Sequence, residues 1–423
     1  MGRIVQKYGG SSVADAESIK RVARRIARTR REGNEVIVVI SAMGDTTDDL
    51  MDLALQISPN PRSRELDMLI TTGERQSAAL LAMALWDIGV DAVSYTGSQA
   101  GVLTTPVHGN ARIIDITPGR IVSALDQGKV AIVAGFQGVA QTTKDVTTLG
   151  RGASDTTAVA LAASLGAEHC EIYSDVDGVY TADPRIVKSA RHIRKIGYED
   201  MMEMAAAGAK ILHLRCVEYA RRENVAVHVR SSFTDNPGTW IVPQEELEEA
   251  GMEEAIISGI AHDRDEAKIT VVGVPDRVGH AAAIFKAISG ADINIDMVVQ
   301  NISDLSAERT DISFTLPATE GRKGVDAIER IKDEVGFDRI RYDDQIGKVS
   351  VVGVGMRSHP GVTATFFSAL AEAGINLQMI STSEIRISVV VQADEVDRAV
   401  RAAHTAFELD ATQDATVYAG TGR

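Results

Sequence analysis

Two loops in the first half of the chain combine glycines with a charged side chain directly before a helical pattern. Lys7 follows a strand pattern and begins the run KYGGSS, and Arg151 lies between glycines in TTLGRGASDTT at residues 147–157. A helix N-terminus with free backbone N–H groups and a nearby cation suits an anion. The first loop is also compatible with a tight turn, and Ser154 or Asp155 with an ordinary helix cap. A cap does not explain the arginine, so the two loops favour anion binding.

A third run, YSDVDGVYTADPR at residues 173–185, follows a strand pattern and clusters acidic residues with turn residues. Its DVDG segment is similar to the start of a calcium-binding EF-hand loop. An EF-hand needs a glutamate at the twelfth loop position, and Arg185 or a neighbour falls there instead. We therefore interpret the run as a nucleotide-binding loop.

These loops need a scaffold, and the first 240 or so residues alternate short β-branched runs with longer helical patterns. Residues 3–7 predict a strand, and residues 14–31 predict a helix that ends before Gly33. Such alternation is typical of βα units around a mostly parallel sheet. Further buried strands are predicted at residues 35–41, 92–96, 129–136 and 171–174.

An acidic stretch without apolar periodicity, PQEELEEAGMEE, predicts a solvated linker or a short exposed helix. We expect an N-terminal domain at 1–243, a linker at 244–254 and a second region at 255–423. That region contains an internal repeat, in which the run from Lys268 aligns with the run from Lys348. Each copy predicts strand, glycine loop, helix and strand. The matched positions are Gly273 with Gly353, Gly279 with Gly361, Phe285 with Phe367, and Ile293-Asn294 with Ile375-Asn376.

The composition excludes several classes of protein. The 44 basic and 59 acidic residues give a net charge of −15, which repels nucleic acid and anionic lipid. Cys170 and Cys216 have no CxxC spacing and predict reduced, buried thiols, and no histidine cluster predicts a metal site. The start MGRIVQKYGG has no signal-peptide pattern, and no apolar run is long enough to cross a bilayer. We therefore expect a cytoplasmic protein with no nucleic-acid or membrane partner.

Six motifs, in this order, resemble the aspartate kinase family: KYGGSS, SAMGDTT, TTGER, GFQG, GRGASDTT and YSDVDGVYTADPR. The C-terminal repeats are similar to the paired ACT modules of that family, and the end VYAGTGR is similar to its actinobacterial type. The resemblance implies an α/β amino-acid-kinase fold, with a mostly parallel sheet and helices on both faces. It also implies a C-terminal pair of α+β, ferredoxin-like ACT modules. We expect these modules at about 265–343 and about 344–423, with segment 255–264 available to pair with the second.

The resemblance implies a reaction as well, in which the γ-phosphoryl group of MgATP moves to the side-chain carboxylate of L-aspartate. The product would be 4-phospho-L-aspartate, in the first step of lysine, threonine and methionine biosynthesis. The Mg²⁺ ion would be carried by the nucleotide phosphates. The nucleophile is already ionised near pH 7, so the site needs positive groups rather than a general base. By resemblance the catalytic residues are Lys7, Glu74, Asp155 and Lys210.

The same resemblance assigns binding residues. For aspartate, Arg151 would face the α-carboxylate as a planar fork, and Glu74 would hold the ammonium group. The alternative for Glu74 is a charge on a surface helix. The aspartate-binding residues are Thr47, Glu74, Arg151 and Ser154, and the ATP-binding residues are Lys7, Gly9, Gly10, Ser41, Tyr173, Ser174, Asp177, Tyr180, Asp183, Arg185 and Lys210.

Lysine and threonine are the regulators that the family implies. Asp276 in the first module has Met356 as its counterpart in the second, so only one loop offers a carboxylate to an effector ammonium group. We expect a homo-oligomer, or a hetero-oligomer with a regulatory subunit that matches the C-terminal half and could begin near Met252. The expected effector residues are Asp276, Gly279, Ala281, Asp296, Gln300, His359, Thr363, Ile375, Asn376, Thr382 and Ser383.

One departure from the family pattern leads to alternative functions. The usual GRGGSD is GRGASD here, with Ala153 in place of a glycine. If that position has a positive φ, alanine costs about 1 kcal/mol in strain, and Ala153→Gly would raise kcat/KM for aspartate. The alternatives are a catalytically weakened ACT-domain amino-acid sensor, or another enzyme of the fold such as acetylglutamate kinase.

Overall fold

The computed structural model describes residues 2–150, 152–249, 256–304 and 309–419. The N-terminal domain alternates strands and helices along much of its length. Its strands are Arg3–Tyr8 (β1), Glu35–Ile40 (β2), Ala92–Tyr95 (β3), Val102–Thr104 (β4), Ile113–Ile116 (β5), Val130–Ala134 (β6), Gln137–Ala140 (β7), Val146–Thr148 (β8), His169–Ser174 (β9), Val179–Tyr180 (β10), His192–Ile193 (β11), Lys195–Gly197 (β12), Val227–Ser231 (β13) and Thr239–Val242 (β14). Its helices are Ala16–Arg31 (α1), Thr46–Ile57 (α2), Ser63–Ile70 (α3), Thr72–Asp87 (α4), Gly119–Asp126 (α5), Ala153–Leu165 (α6), Tyr198–Ala206 (α7), Leu214–Glu223 (α8) and Gln244–Glu249 (α9).

One large sheet, in the order β12-β14-β13-β9-β1-β2-β6-β3, forms the centre of this domain. Its neighbouring strands are parallel except for β13 and β14. Along β2, Val36, Val38 and Ile40 pack against α1 and α4, whereas Ile37 and Val39 pack against α6 on the opposite face. Burial on both faces explains the continuous apolar run. The predicted parallel sheet with helices on both faces is confirmed.

One helix boundary differs from the sequence prediction. Helix α1 begins at Ala16 rather than residue 14, because Asp15 caps it by accepting a 2.7 Å hydrogen bond from the N–H of Ser18. The acidic stretch begins with the short helix α9, which is one of its two interpretations, and residues 250–255 lie outside the described residues. No described helix is long and apolar enough to span a membrane.

The second region contains two α+β modules, as the repeat predicts. The first has the sheet order β17-β18-β16-β19 and the second β15-β20-β22-β21. The strands are Gly259–Asp263 (β15), Glu266–Pro275 (β16), Val298–Asp304 (β17), Arg309–Pro317 (β18), Arg339–Asp343 (β19), Ile346–Val352 (β20), Met379–Thr382 (β21) and Arg386–Gln392 (β22). The helices are His280–Gly290 (α10), Gly321–Glu329 (α11), Lys332–Val335 (α12), Val362–Glu372 (α13) and Val396–Ala406 (α14).

The chain order of these strands makes the second module discontinuous. Strand β15 precedes the whole first module, yet it pairs antiparallel with β20, with Gly259 opposite Val352. The first module is therefore inserted between the edge strand of the second module and the rest of it. The repeat remains visible in detail, because the matched residues Gly279 and Gly361 precede α10 and α13 with φ values of 101° and 110°.

The two modules meet through equivalent residues of the repeat. Lys348 is 2% exposed and lies 2.6 Å from both Glu266 and Asp296. Its counterpart Lys268 donates a hydrogen bond to Gln378, which is the counterpart of Asp296. Although burial opposes it, the two carboxylates raise the pKa of Lys348. The contact between the two modules thus uses equivalent positions of the repeat on both sides. Only the side with Lys348 has a buried ion pair.

Candidate active site

The predicted glycine loops and nucleotide loop meet at one edge of the large sheet. Strands β9, β1, β2 and β6 are adjacent and parallel, so their carboxyl ends lie side by side. Gly9 follows β1, Ser41 follows β2, and Phe136 comes two residues after the end of β6. Tyr8 pairs in register with Tyr173, so the loop at 173–185 starts beside Gly9. The sheet topology therefore brings together motifs that are far apart in sequence.

An ion pair between Lys7 and Asp155 lies at this edge. The Nζ of Lys7 is 2.6 Å from Oδ1 of Asp155, and the two side chains are 13% and 9% exposed. Lys7 lies on the same face of β1 as Val5, which packs against α6. Asp155 lies in the first turn of α6, where the helix dipole favours a negative charge. The lysine is thus held in place by a strand and a helix together.

Glu74 provides a second charge that is almost removed from water. Its side chain is buried in α4, and one carboxylate oxygen accepts a 3.3 Å hydrogen bond from the N–H of Ala42. The other oxygen, Oε2, has no hydrogen-bond partner among the described residues. Burial raises the pKa of Glu74 to about 7. An unpaired buried carboxylate is costly, so this position is suited to a cation from a ligand.

A cavity of about 270 Å³ connects these groups. The predicted residues Lys7, Gly10, Ser41, Thr47, Glu74 and Ser154 line it. Its size and mixed charges suit a small zwitterionic molecule next to a phosphate. Ala42, Gly44, Asp48, Phe136 and Gly152 also line it and were not predicted.

Phe136 has an unusual backbone for its residue type. Its φ is 68°, and its side chain is buried at the cavity. Left-handed backbone at a bulky residue is strained and occurs most often at functional sites. The GFQG motif marked this loop in the sequence, but a motif alone does not indicate which residue adopts that conformation.

Ala153 is not strained, and the sequence expectation on this point is wrong. The positive φ values of the loop belong to Gly150 (91°) and Gly152 (74°). Ala153 is instead the first residue of α6, is fully buried, and accepts a 3.1 Å hydrogen bond from the hydroxyl of Thr157. A helical alanine pays no cost for its β-carbon. The geometry of this loop therefore gives no physical reason to expect a catalytically weakened sensor.

One predicted site residue lies outside the described residues, and another does not line the cavity. Arg151 lies outside the described residues. Lys210 does not line the cavity; its side chain is 77% exposed and lies 3.8 Å from Asp265, between β15 and β16 of the second region. An ion pair with this exposure is worth little, so the pair does not lock the lysine in this position.

The predicted nucleotide-binding residues between Tyr173 and Arg185 lie in one loop after β9, but their side chains differ in exposure. Tyr173 is buried and stacks on Tyr8 with ring centroids 4.7 Å apart, so its ring belongs to the core. Arg185 lies 2.7 Å from Asp175 and 3.5 Å from Asp183. The hydroxyl of Ser174 donates to Asp175, Asp177 accepts from three side chains, and Tyr180 packs edge-on against His192.

The predicted effector residues fall into two groups. His359, Thr363, Thr382 and Ser383 line one cavity of about 280 Å³ in the second module, whereas Ile375 is buried in its core and Asn376 is exposed. In the first module, Asp276, Gly279 and Gln300 are exposed and Ala281 is half-buried. Asp296 pairs with Lys348, so its carboxylate already has a cationic partner.

Arg215, for which no motif predicted a role, joins two loops near the cavity. Its guanidinium donates to the carbonyls of Leu149 (2.7 Å) and Ala111 (3.0 Å) and to Oδ1 of Asn110 (3.3 Å). Leu149 directly precedes the glycine loop 150–152. The fold, and no motif of the sequence, places its guanidinium fork against these carbonyls.

Comparisons with known proteins agree with this architecture. Residues 2–231 match the amino acid kinase family, and residues 269–331 and 349–407 match the ACT domain. Over 423 residues the chain is 62% identical to the aspartokinase of Mycolicibacterium smegmatis and 57% identical to that of Corynebacterium glutamicum, covering 100% of each chain.

Solved structures are similar as well. The aspartate kinase from Synechocystis is 42% identical with a TM-score of 0.53, and the match covers 97% of this chain and 70% of that one. The E. coli aspartokinase III in complex with aspartate and ADP is 23% identical with a TM-score of 0.82, over 95% and 99% of the two chains. The second likeness shows a common fold.

We predict that Ala153→Gly lowers stability and does not raise kcat/KM for aspartate. The glycine would add backbone freedom to the unfolded chain and remove a buried methyl group, at a cost of about 1 kcal/mol. Chemical denaturation and steady-state kinetics would measure the two effects. Ala158→Gly, at a buried position of the same helix, is the matched control for the loss of stability. A higher kcat/KM in Ala153→Gly would contradict the unstrained geometry.

Proposed function

We propose, since the chain belongs to the aspartokinase family, that its cavity binds L-aspartate and that Lys7 stabilises phosphoryl transfer to it from MgATP. The product is 4-phospho-L-aspartate. The observation that supports this most directly is the buried, unpaired oxygen of Glu74 in the same cavity as the Lys7–Asp155 ion pair.

Aspartate presents one cation and two anions, and the cavity matches these charges. The Glu74 carboxylate is the proposed partner of the substrate ammonium group, with Thr47 and Ser154 completing hydrogen bonds. Arg151 is proposed to hold the α-carboxylate, because a guanidinium fork matches a planar carboxylate. The remaining side-chain carboxylate is then directed to the end of the cavity where Lys7 lies.

The chemistry is electrostatic. The substrate carboxylate is ionised at neutral pH, so it needs no base, but it must approach a nucleotide that is also negative. Charge spreads over the transferring phosphoryl group in a loose transition state. The Lys7 ammonium carries three donors and is already oriented by Asp155, so little reorganisation is needed when that charge develops.

The nucleotide is proposed to lie over Gly9, Gly10 and Ser41 with its phosphates and along the loop at 173–185 with its base and ribose. A β-carbon at Gly10 would lie 2.9 Å from the carbonyl of Gly44, so only glycine fits in this tight loop. Mg²⁺ is proposed to arrive as part of the substrate MgATP, held mainly by phosphate oxygens as is usual for this ion. Lys210 is proposed to leave Asp265 and contact the phosphates when nucleotide binds.

Regulation by lysine and threonine is proposed to reach the catalytic domain through Asp200 on α7. Its Oδ1 accepts a 2.9 Å hydrogen bond from the N–H of Val354, and its Oδ2 accepts one of 2.7 Å from the hydroxyl of Ser258. Val354 begins the loop that leads to the cavity at His359. Helix α7 leads in turn to Lys210. A shift of the effector loop would therefore act on the segment that carries Lys210.

The proposed homo- or hetero-oligomer and the cytoplasmic location remain predictions.

The proposed reaction predicts ATP turnover that depends on aspartate. We expect ADP release in a coupled assay with aspartate, and only background release with N-acetylglutamate or without an acceptor. An acetylated amine is uncharged and would leave Glu74 unpaired. Lys7→Met should lower kcat with aspartate by about 10²- to 10³-fold, with an unchanged circular dichroism spectrum. Turnover that prefers N-acetylglutamate, or normal kcat in Lys7→Met, would refute the assignment.

The pKa of Glu74 predicts the pH dependence of aspartate binding. Below about 7 the carboxyl group is protonated and cannot pair with the substrate ammonium; above it the carboxylate is present. We expect kcat/KM for aspartate to rise about tenfold between pH 6 and pH 8, because this ratio reports the free enzyme. Glu74→Gln should have a lower kcat/KM that is flat over this range. A wild-type profile without this rise would exclude the ammonium role.

The Asp200 contacts predict a variant in which inhibition is separated from catalysis. Asp200→Ala should raise the half-inhibitory effector concentration about fivefold or more, the lower limit of typical coupling, and should leave uninhibited kcat within about twofold. Glu199→Ala is the matched control, since Glu199 lies on the same helix and pairs with Arg221 inside the catalytic domain. Inhibition curves of Asp200→Ala that superimpose on wild type would show that the signal takes another route.

A further inference from the structure

The segment after α14 crosses the proposed nucleotide loop and its continuation to residue 190. Val417 forms an antiparallel bridge with Val176, and Asp410 forms one with Ala190. Three backbone N–H groups of the segment donate to carbonyls of the loop and its continuation: Tyr418 to Asp175 (2.9 Å), Ala415 to Lys188 (2.7 Å) and Ala411 to Ser189 (2.7 Å). The C-terminal segment thus pairs with the start of the loop and with the residues that follow it.

Tyr418 makes the most specific of these contacts. Its hydroxyl donates a 2.9 Å hydrogen bond to Oδ2 of Asp177. Its ring stacks on Phe233 with centroids 6.0 Å apart and planes at 16°. Asp177 also accepts from Thr234 (2.6 Å) and Asn236 (3.0 Å), so donors from the catalytic domain and from the C-terminal segment share one carboxylate.

The apolar side of the loop is held by the second regulatory module. Val176, Tyr180, Ala182, Val187 and Ala190 belong to the same buried cluster as the core of that module. The module also provides His404, which is fully buried and lies 2.8 Å from the hydroxyl of Thr181 through its Nε2. The loop therefore does not depend on the catalytic domain alone for its shape.

A cavity of about 450 Å³ remains between the loop and the C-terminal segment. Asp177 and Tyr180 line it from the loop, and Gln413, Thr416 and Tyr418 from the segment. A site formed by both partners changes when either partner moves. Ordering a loop in advance also removes part of the conformational entropy that a ligand would otherwise have to overcome.

We propose that residues 411–419 form a strap that holds the nucleotide loop in its binding conformation, with Tyr418 as a positioning residue for Asp177. The proposal rests on the assignment of loop 173–185 to the nucleotide in the proposed function. It makes the C-terminal end of the regulatory region part of the support for ATP binding. The strap acts on the nucleotide and leaves the aspartate cavity, on the other side of β1, unaffected.

Tyr418→Phe tests the strap, because it removes one hydroxyl and keeps the ring that stacks on Phe233. We expect the KM for ATP and the Kd for ADP, from isothermal titration calorimetry, to rise about fivefold or more, as for a lost hydrogen bond to a charged group. The KM for aspartate should stay within about twofold. Tyr342→Phe, which removes a hydroxyl from the first regulatory module, is the matched control and should change neither constant.

Three results with Tyr418→Phe would overturn the proposal. These are an unchanged affinity for ADP, an equal rise of the KM values for ATP and aspartate, and tighter ADP binding, which would show that the segment blocks the site. A chain that ends at Asp410 should show a larger loss of ADP affinity than Tyr418→Phe, and an equal or smaller loss would also count against the strap. Arg185→Ala separates the assignment of the loop to the nucleotide from the role of the strap. If Arg185→Ala leaves ADP affinity unchanged, the loop assignment fails together with the strap. If it weakens ADP binding while Tyr418→Phe does not, the strap alone fails.

Discussion

The ion pair between Lys7 and Asp155 is the contact on which the arrangement of the site depends. Both side chains are largely withdrawn from water, and a charge in that position is stable only when it is paired. The pair joins the end of β1 to the first turn of α6, so the glycine loops on either side are held at a fixed separation. The lysine proposed to act in catalysis is therefore positioned by the scaffold and not by a flexible loop.

Regulation depends on a second constraint, which is that the two halves of the molecule share buried surface. The apolar residues of the proposed nucleotide loop lie in the core of the second module, and Asp200 accepts hydrogen bonds from Ser258 and Val354, which lie at one end of the paired strands β15 and β20. Packed interfaces have discrete arrangements and do not deform continuously. An effector that repacks the second module would thus change the surroundings of the nucleotide loop and of α7 together.

Local patterns predicted the elements well and the long-range contacts poorly. The parallel sheet, the two glycine loops and the matched positions Gly279 and Gly361 follow from periodicity and repeats within short windows. The pairing of the exposed Lys210 with Asp265 and of Tyr418 with Asp177 joins residues that are far apart in sequence. No local pattern encodes such contacts. The case of Ala153 is different: the motif suggested a strained position, but only the backbone shows that the neighbouring glycines carry the left-handed conformations.

The insertion of the first module into the second has a consequence for the order in which the nascent chain can fold. Strand β15 leaves the ribosome before the first module, but its partner β20 is made only after that module is complete. Domains generally fold as they emerge, from the N-terminus onward. The catalytic domain would therefore fold first, and the apolar side of its proposed nucleotide loop would stay uncovered until almost the whole chain has been translated. Newly made protein would acquire its nucleotide site and its regulatory core in the same late step.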